Sequence, residues 1–140
     1  MNSTSISTDT TRPARWLVVD DNLDLLALMQ TMLAQIHDGS VDCFSSPAAA
    51  LAAFTAAPDQ YELVITDYEM PGMDGIELCR RLRERARDLK IFLATGSGFF
   101  TGPTATHAGF LGRLNKPFRL EELRAMLAGA GVRIDEPVAA

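Results

Sequence analysis

The sequence predicts an α/β domain built on a five-stranded parallel sheet. Two observations carry this expectation. Short apolar runs alternate with stretches of helical periodicity from Trp16 to the end of the chain. Five such strand–helix units in series call for parallel strands covered by helices on both faces. The chain has 140 residues, enough for one domain with a core of its own.

The elements follow in order. Trp16 to Val19 forms the first run and stops at Asp20-Asp21-Asn22, where Asn22 can cap a helix. Leu25, Met29, Met32, Leu33 and Ile36 then recur at helical spacing, and Gly39 is a natural stop for that helix. Val41 to Phe44 reads as strand two. Ser46-Pro47 opens the second helix with a capping hydroxyl followed by proline, and Ala50, Leu51 and Phe54 supply its buried side. Leu63 to Thr66 is strand three and ends at Asp67. The loop Met70-Pro71-Gly72-Met73-Asp74-Gly75 is rich in turn formers. Ile76, Cys79 and Leu82 mark the buried stripe of the third helix, and Arg80, Arg81, Arg83, Arg85 and Arg87 read as its solvated faces. Ile91 to Ala94 is strand four, ending at Thr95. A short or distorted helix is expected between Gly96 and Gly109, because Gly96, Gly98, Gly102 and Pro103 all oppose helix there. Strand five lies within Phe110 to Asn115, and Leu120, Leu123 and Leu127 mark the last helix. Right-handed crossovers leave few topologies, and the expected strand order is 2-1-3-4-5, the flavodoxin-like arrangement.

Composition narrows the function. Hydrophobic residues make up 47% and charged residues 22%, and the net charge is −5. An acidic balance opposes direct binding to nucleic acid, which asks for a basic face. The apolar runs are too short for membrane insertion. Cys43 and Cys79 are in no CxxC or zinc-like spacing, so two reduced thiols in a cytoplasmic protein are expected. Residues Met1 to Ala14 read as a disordered leader, the domain as 15–129, and 130–140 as a loose tail. His37 and His107 read as ordinary polar histidines, and Phe99 and Phe100 as core packing rather than a partner contact.

The candidate site lies at the strand ends. Asp20 and Asp21 follow strand one and Asp67 follows strand three, and these strands are neighbours in the expected order. Their C-terminal ends flank the switch point, where ligands bind in such sheets. Two like charges about 4 Å apart cost on the order of 4 kcal/mol at an effective dielectric of 20, so the group calls for a shared proton or a cation. Oxygen donors without His or Cys favour a hard ion, Mg²⁺ or Mn²⁺. Thr95 and Lys116 end strands four and five and face the same crevice. A carboxylate nucleophile, an ion, a hydroxyl and an ammonium suit a phosphoryl group. A carboxylate is already ionised at pH 7, so Asp67 needs no general base.

The residues Asp20-Asp21, Thr66-Asp67-Tyr68-Glu69-Met70-Pro71-Gly72-Met73-Asp74-Gly75, Thr95-Gly96 and Lys116-Pro117-Phe118 together resemble the signature of response-regulator receiver domains, in a stand-alone form like the chemotaxis regulators. The likeness runs from about Trp16 to Ala128. It implies that Asp67 takes a phosphoryl group from a phosphohistidine on a sensor histidine kinase or a histidine phosphotransfer protein. It implies that Asp21, Asp67 and the backbone carbonyl of Glu69 ligate the ion, with Asp20 acting through metal-bound water. It also implies a cis Lys116–Pro117 bond. Phosphorylation would draw Thr95 inward and repack the face made by strand five and the helices on either side of it in sequence. That face would bind a downstream protein or a second copy.

Two features depart from this pattern. Arg113 stands where an aromatic residue is usual, three residues before the lysine. Strand alternation puts Phe110 on the face opposite Arg113 unless Gly112 forms a bulge. Both this and the glycine-rich stretch lie on the output side, so intact phosphorylation chemistry with unusual signal transmission is expected.

Three functions remain to be weighed. The first is the phospho-accepting switch, which is not an enzyme acting on an external substrate; it would dock alone or serve as a phosphate relay or sink. The chain leaves no room for an output domain after Ala128, and reads as a complete small protein or a fragment of a larger kinase. The second is a Mg²⁺-dependent aspartyl phosphohydrolase, with Glu69 as the second acid. The third is an interaction module that is never phosphorylated.

Overall fold

The computed structural model describes residues 15–96 and 109–134. Five strands, β1 (Arg15–Val19), β2 (Val41–Phe44), β3 (Tyr61–Thr66), β4 (Lys90–Thr95) and β5 (Gly112–Asn115), form one sheet in the order β2-β1-β3-β4-β5. Every neighbouring pair is parallel. This is the predicted topology. The helices are α1 (Leu23–Ala34), α2 (Pro47–Ala56), α3 (Gly75–Arg85) and α4 (Leu120–Gly129), with a 3₁₀ turn at Pro58–Gln60. The helix expected between Gly96 and Gly109 lies outside the described residues, as do Phe99, Phe100, His107 and the leader.

The sheet is buried on both sides, and its two faces sort the core. Trp16, Val18, Leu63, Ile65, Phe92, Ala94 and Leu114 pack with Met29 and Leu33 of α1 and with Leu123 and Leu127 of α4. The alternate positions Leu17, Val19, Val64 and Ile91 pack with Ala50 and Phe54 of α2 and with Leu78, Cys79 and Leu82 of α3. This period-two division gives each strand its near-continuous apolar sequence.

Local signals act largely as read. Asn22 Oδ1 accepts from the N–H groups of Asp24 and Leu25, and Ser46 Oγ from that of Ala49. Asp74 Oδ1 accepts from the N–H of Glu77 and so caps α3. Differences arise where packing overrides pattern. Helix α1 stops at Ala34 rather than near Gly39; the Ile36 N–H turns back to Leu33 O and the side chain is fully buried. Leu26 takes the core position, while Leu25 is half-buried. His37 stacks face to face on Trp16, with ring centroids 3.9 Å apart.

Packing also runs past residue 129, where a loose tail was expected. Gly131 has φ +82°, its N–H bonds Ala128 O, and the Val132 N–H bonds Leu127 O. This left-handed helix cap turns the chain back, so Val132 is buried and Ile134 packs on the same core. Phe110 is the other correction. It packs on the cluster that contains Ile91, the face to which alternation also assigns Arg113, the partner of Leu93. Strand β5 begins only at Gly112, and Gly109 before it has φ +91°, so alternation does not govern Phe110.

Among the described residues, the most demanding close approach of a glycine is at Gly75, where a Cβ would stand 2.4 Å from the backbone oxygen of Asp67. The first turn of α3 therefore rests directly on the end of β3. Gly75→Ala is expected to destabilise the domain by ~1–3 kcal/mol in urea unfolding, because backbone cannot yield as a side-chain tip can. An unchanged midpoint would contradict the contact.

Candidate functional site

Strands β1 and β3 place the acidic residues. The Asp20 N–H donates to Phe44 O on one side, and the Asp67 N–H donates to Val19 O across the β1–β3 pair. The sheet hydrogen bonding thus continues to the first residue past each strand and fixes both Cα positions. Asp20, Asp21 and Asp67 come together, each offering an oxygen within 4.8 Å of the others. Asp20 and Asp67 are buried, whereas Asp21 is exposed.

The β5 end supplies the counter-charge. Lys116 Nζ donates to Asp20 Oδ2 at 2.7 Å and stands 3.3 Å from Asp67 Oδ1. The Lys116 N–H donates to Thr95 O, which ties the end of β5 to that of β4. The Lys116–Pro117 bond is cis. Other oxygens are committed as well. Asp20 Oδ1 accepts from the Asn22 N–H, and Asp67 Oδ1 from the Tyr68 N–H. The Tyr68 N–H and the Lys116 ammonium both face Asp67 Oδ1.

Apolar walls back the crevice. A cavity of about 50 Å³ beside Asp20, Asp67 and Lys116 is lined by Val18, Leu25, Met29, Ile65 and Phe118. This environment pushes the Asp67 carboxyl above the usual carboxylate range, chiefly by desolvation; Lys116 opposes the shift, Asp20 adds to it and the Tyr68 N–H opposes it. Three carboxylates and one nearby ammonium leave a net negative pocket of oxygen donors, which fits a hard divalent cation.

Sequence-predicted residues are placed as follows. Asp20, Asp21, Asp67 and Lys116 converge. Thr95 is buried at the end of β4. Glu69 is exposed and lines a surface depression with Asp21 and Asp74. Arg113 is exposed, Phe110 half-buried, and neither lines the crevice beside the carboxylates. Three contacts escaped the sequence reading: the N–H groups of Asn22 and Tyr68, and the Thr66 hydroxyl, which donates to Asp67 O at 2.9 Å. Only Thr66 carried a signal, a hydroxyl closing an otherwise apolar strand.

The family profile described as the response regulator receiver domain matches residues 16–128. The chain belongs to that family. This receiver domain is 36% identical over 114 residues to the transcriptional regulatory protein TctD of Salmonella typhimurium, covering 81% of this chain and 50% of that protein. It is also 36% identical over 113 residues to the cyclic di-GMP phosphodiesterase response regulator RpfG of Xanthomonas campestris, covering 78% and 29%. The chain thus spans half or less of these curated relatives. Among solved structures, a receiver domain protein of Clostridium thermocellum superposes with TM-score 0.75 at 28% identity, covering 84% of this chain and 93% of that one. TrrA of Thermotoga maritima, in complex with Mg²⁺-BeF, superposes with TM-score 0.73 at 30% identity, covering 83% and 97%. Family membership places the chain among two-component response regulators. Among the described residues, no helix is long and apolar enough to cross a membrane.

The desolvated carboxylate gives a stability prediction. Between the ordinary carboxylate pKa and the raised folded value, the folded protein holds the Asp67 proton more tightly, so stability falls as pH rises. Above the folded value the penalty is complete. Asp67→Asn removes it, and in chelator should raise the melting temperature at pH 7–8, with a gain that shrinks as the pH approaches about 4. A melting temperature that falls at pH 8 would contradict this reading.

Proposed function

We propose that Asp67 is the phosphoacceptor of a phosphohistidine-dependent switch. The observation that carries this reading is the buried Asp67 carboxylate beside the Lys116 ammonium, 3.3 Å from Oδ1, within a cluster of three carboxylates. In the transfer, an Asp67 oxygen attacks phosphorus, the P–N bond of the phosphohistidine breaks, and the imidazole leaves with the electron pair and takes up a proton. Lys116 offsets charge on the phosphoryl oxygens, and Thr95 hydrogen-bonds one of them. Asp21, Asp67 and the Glu69 carbonyl, with Asp20 acting through water, would hold Mg²⁺ or Mn²⁺, which would supply further charge neutralisation. The acidic cluster and the Mg²⁺-BeF complex of TrrA support a divalent cation at this site.

The donor is a sensor histidine kinase or a histidine phosphotransfer protein in the cytoplasm. The output is altered binding of a downstream protein, or of a second copy, on the face containing β5 and α4. The chain is a switch and not an enzyme for external substrates. Family membership favours this over a phosphohydrolase, and the complete acid–lysine set favours it over a module that is never phosphorylated.

Acetyl phosphate with Mg²⁺ should add one phosphoryl group to the intact protein by mass spectrometry, and chelator or Asp67→Asn should abolish the addition. Persistent labelling of Asp67→Asn would assign the wrong acceptor. Lys116→Ala should retain metal binding while phosphorylation slows on the order of 10²-fold, the effect of removing one stabilising donor. Unchanged kinetics would remove the lysine from the chemistry.

A further inference from the structure

Arg83 departs from the solvated arginine face predicted for α3. Arg80, Arg81, Arg85 and Arg87 are exposed, but Arg83 is half-buried at the C-terminal end of the helix. Its guanidinium donates to three backbone carbonyls from two separate segments. Nη1 donates to Arg87 O at 2.9 Å and to Leu89 O, both in the connection from α3 to β4. Nη2 donates to Gly109 O at 2.7 Å, across 26 residues of sequence. Gly109 is shaped for the contact. Its φ is +91°, and a Cβ there would stand 3.3 Å from Arg83 Nε.

Gly109 begins the approach to β5, and Phe110 after it packs on the core cluster of α2 and α3. The Leu111 N–H bonds Ile91 O, and then the four residues Gly112–Asn115 pair with β4 alone. Lys116 follows immediately, with its Nζ on Asp20 and Asp67. The lysine is therefore carried by a short edge strand whose far end is tied to α3 by one guanidinium.

We propose that Arg83 is a positioning residue: a latch that holds the entry to β5 and, through that strand, sets Lys116 over the carboxylates. A planar fork with five donors suits this task, because it satisfies carbonyls from different segments at once without depending on pH. The carboxylates on β1 and β3 are placed by their own ladder hydrogen bonds and do not need the latch. The two halves of the site thus have separate supports. The link to phosphoryl transfer rests on the reading of Asp67 as acceptor; the latch itself does not.

The test compares wild type, Arg83→Met and Arg83→Lys, each first shown to be folded by circular dichroism at the temperature used. Amide hydrogen exchange, in the absence of any phosphodonor, should accelerate in Arg83→Met across residues 109–116 and not in β1 or β3. Mg²⁺ affinity should be unchanged. Phosphorylation at saturating acetyl phosphate should slow by roughly tenfold, as expected for a misplaced charged group. Arg83→Lys, which keeps a donor of hydrogen bonds, should restore part of both effects. Unchanged exchange at 109–116 would overturn the latch. Faster exchange with an unchanged phosphorylation rate would overturn its role in positioning Lys116. Failure of wild type itself to label would instead sink the acceptor reading, and the exchange result would still judge the latch.

Discussion

One ammonium group shared by two buried carboxylates from different strands organises this molecule. Lys116 Nζ lies 2.7 Å from Asp20 and 3.3 Å from Asp67. The three groups come from β1, β3 and the end of β5. A parallel sheet in the order β2-β1-β3-β4-β5 brings those ends to one edge. Burying a charge is costly unless it is paired, so both buried acids depend on Lys116. The fold must hold all three ends in register, and the apolar core on both sheet faces does so.

The pairing is deliberately incomplete in its charge balance. Asp21 joins the two buried acids at the solvent side, and one lysine does not neutralise three carboxylates. The remaining negative charge invites a cation, and a cation with a lysine invites a phosphoryl group. The raised affinity of Asp67 for a proton has a different cause, desolvation by its apolar surroundings, which outweighs the opposing charge of Lys116.

Much of this was legible in the sequence because it is carried by local signals. Apolar runs ending at Asp20, Asp67 and Thr95, and a shorter, more polar strand before Lys116, marked the strand ends that a parallel sheet aligns. What escaped reading depends on contacts between distant segments. Arg83 looked like its exposed neighbours because nothing in its own helix announces three carbonyl partners. Phe110 lies outside regular β5, so alternation gave it the wrong side. The chain beyond Gly129 looked featureless, yet the cap at Gly131 folds Val132 and Ile134 onto the core. Backbone donors such as the Tyr68 N–H carry no residue signature at all.

One cation shared by the carboxylates that follow β1 and β3, beside Lys116, would leave a localised signature in solution. Paramagnetic line broadening by substoichiometric Mn²⁺ in amide NMR spectra reads that signature. Selective loss of the signals around residues 20–22, 67–69 and 116 is expected, reversed by excess Mg²⁺. Broadening centred on any other part of the surface, or none at all, would contradict the shared cation site.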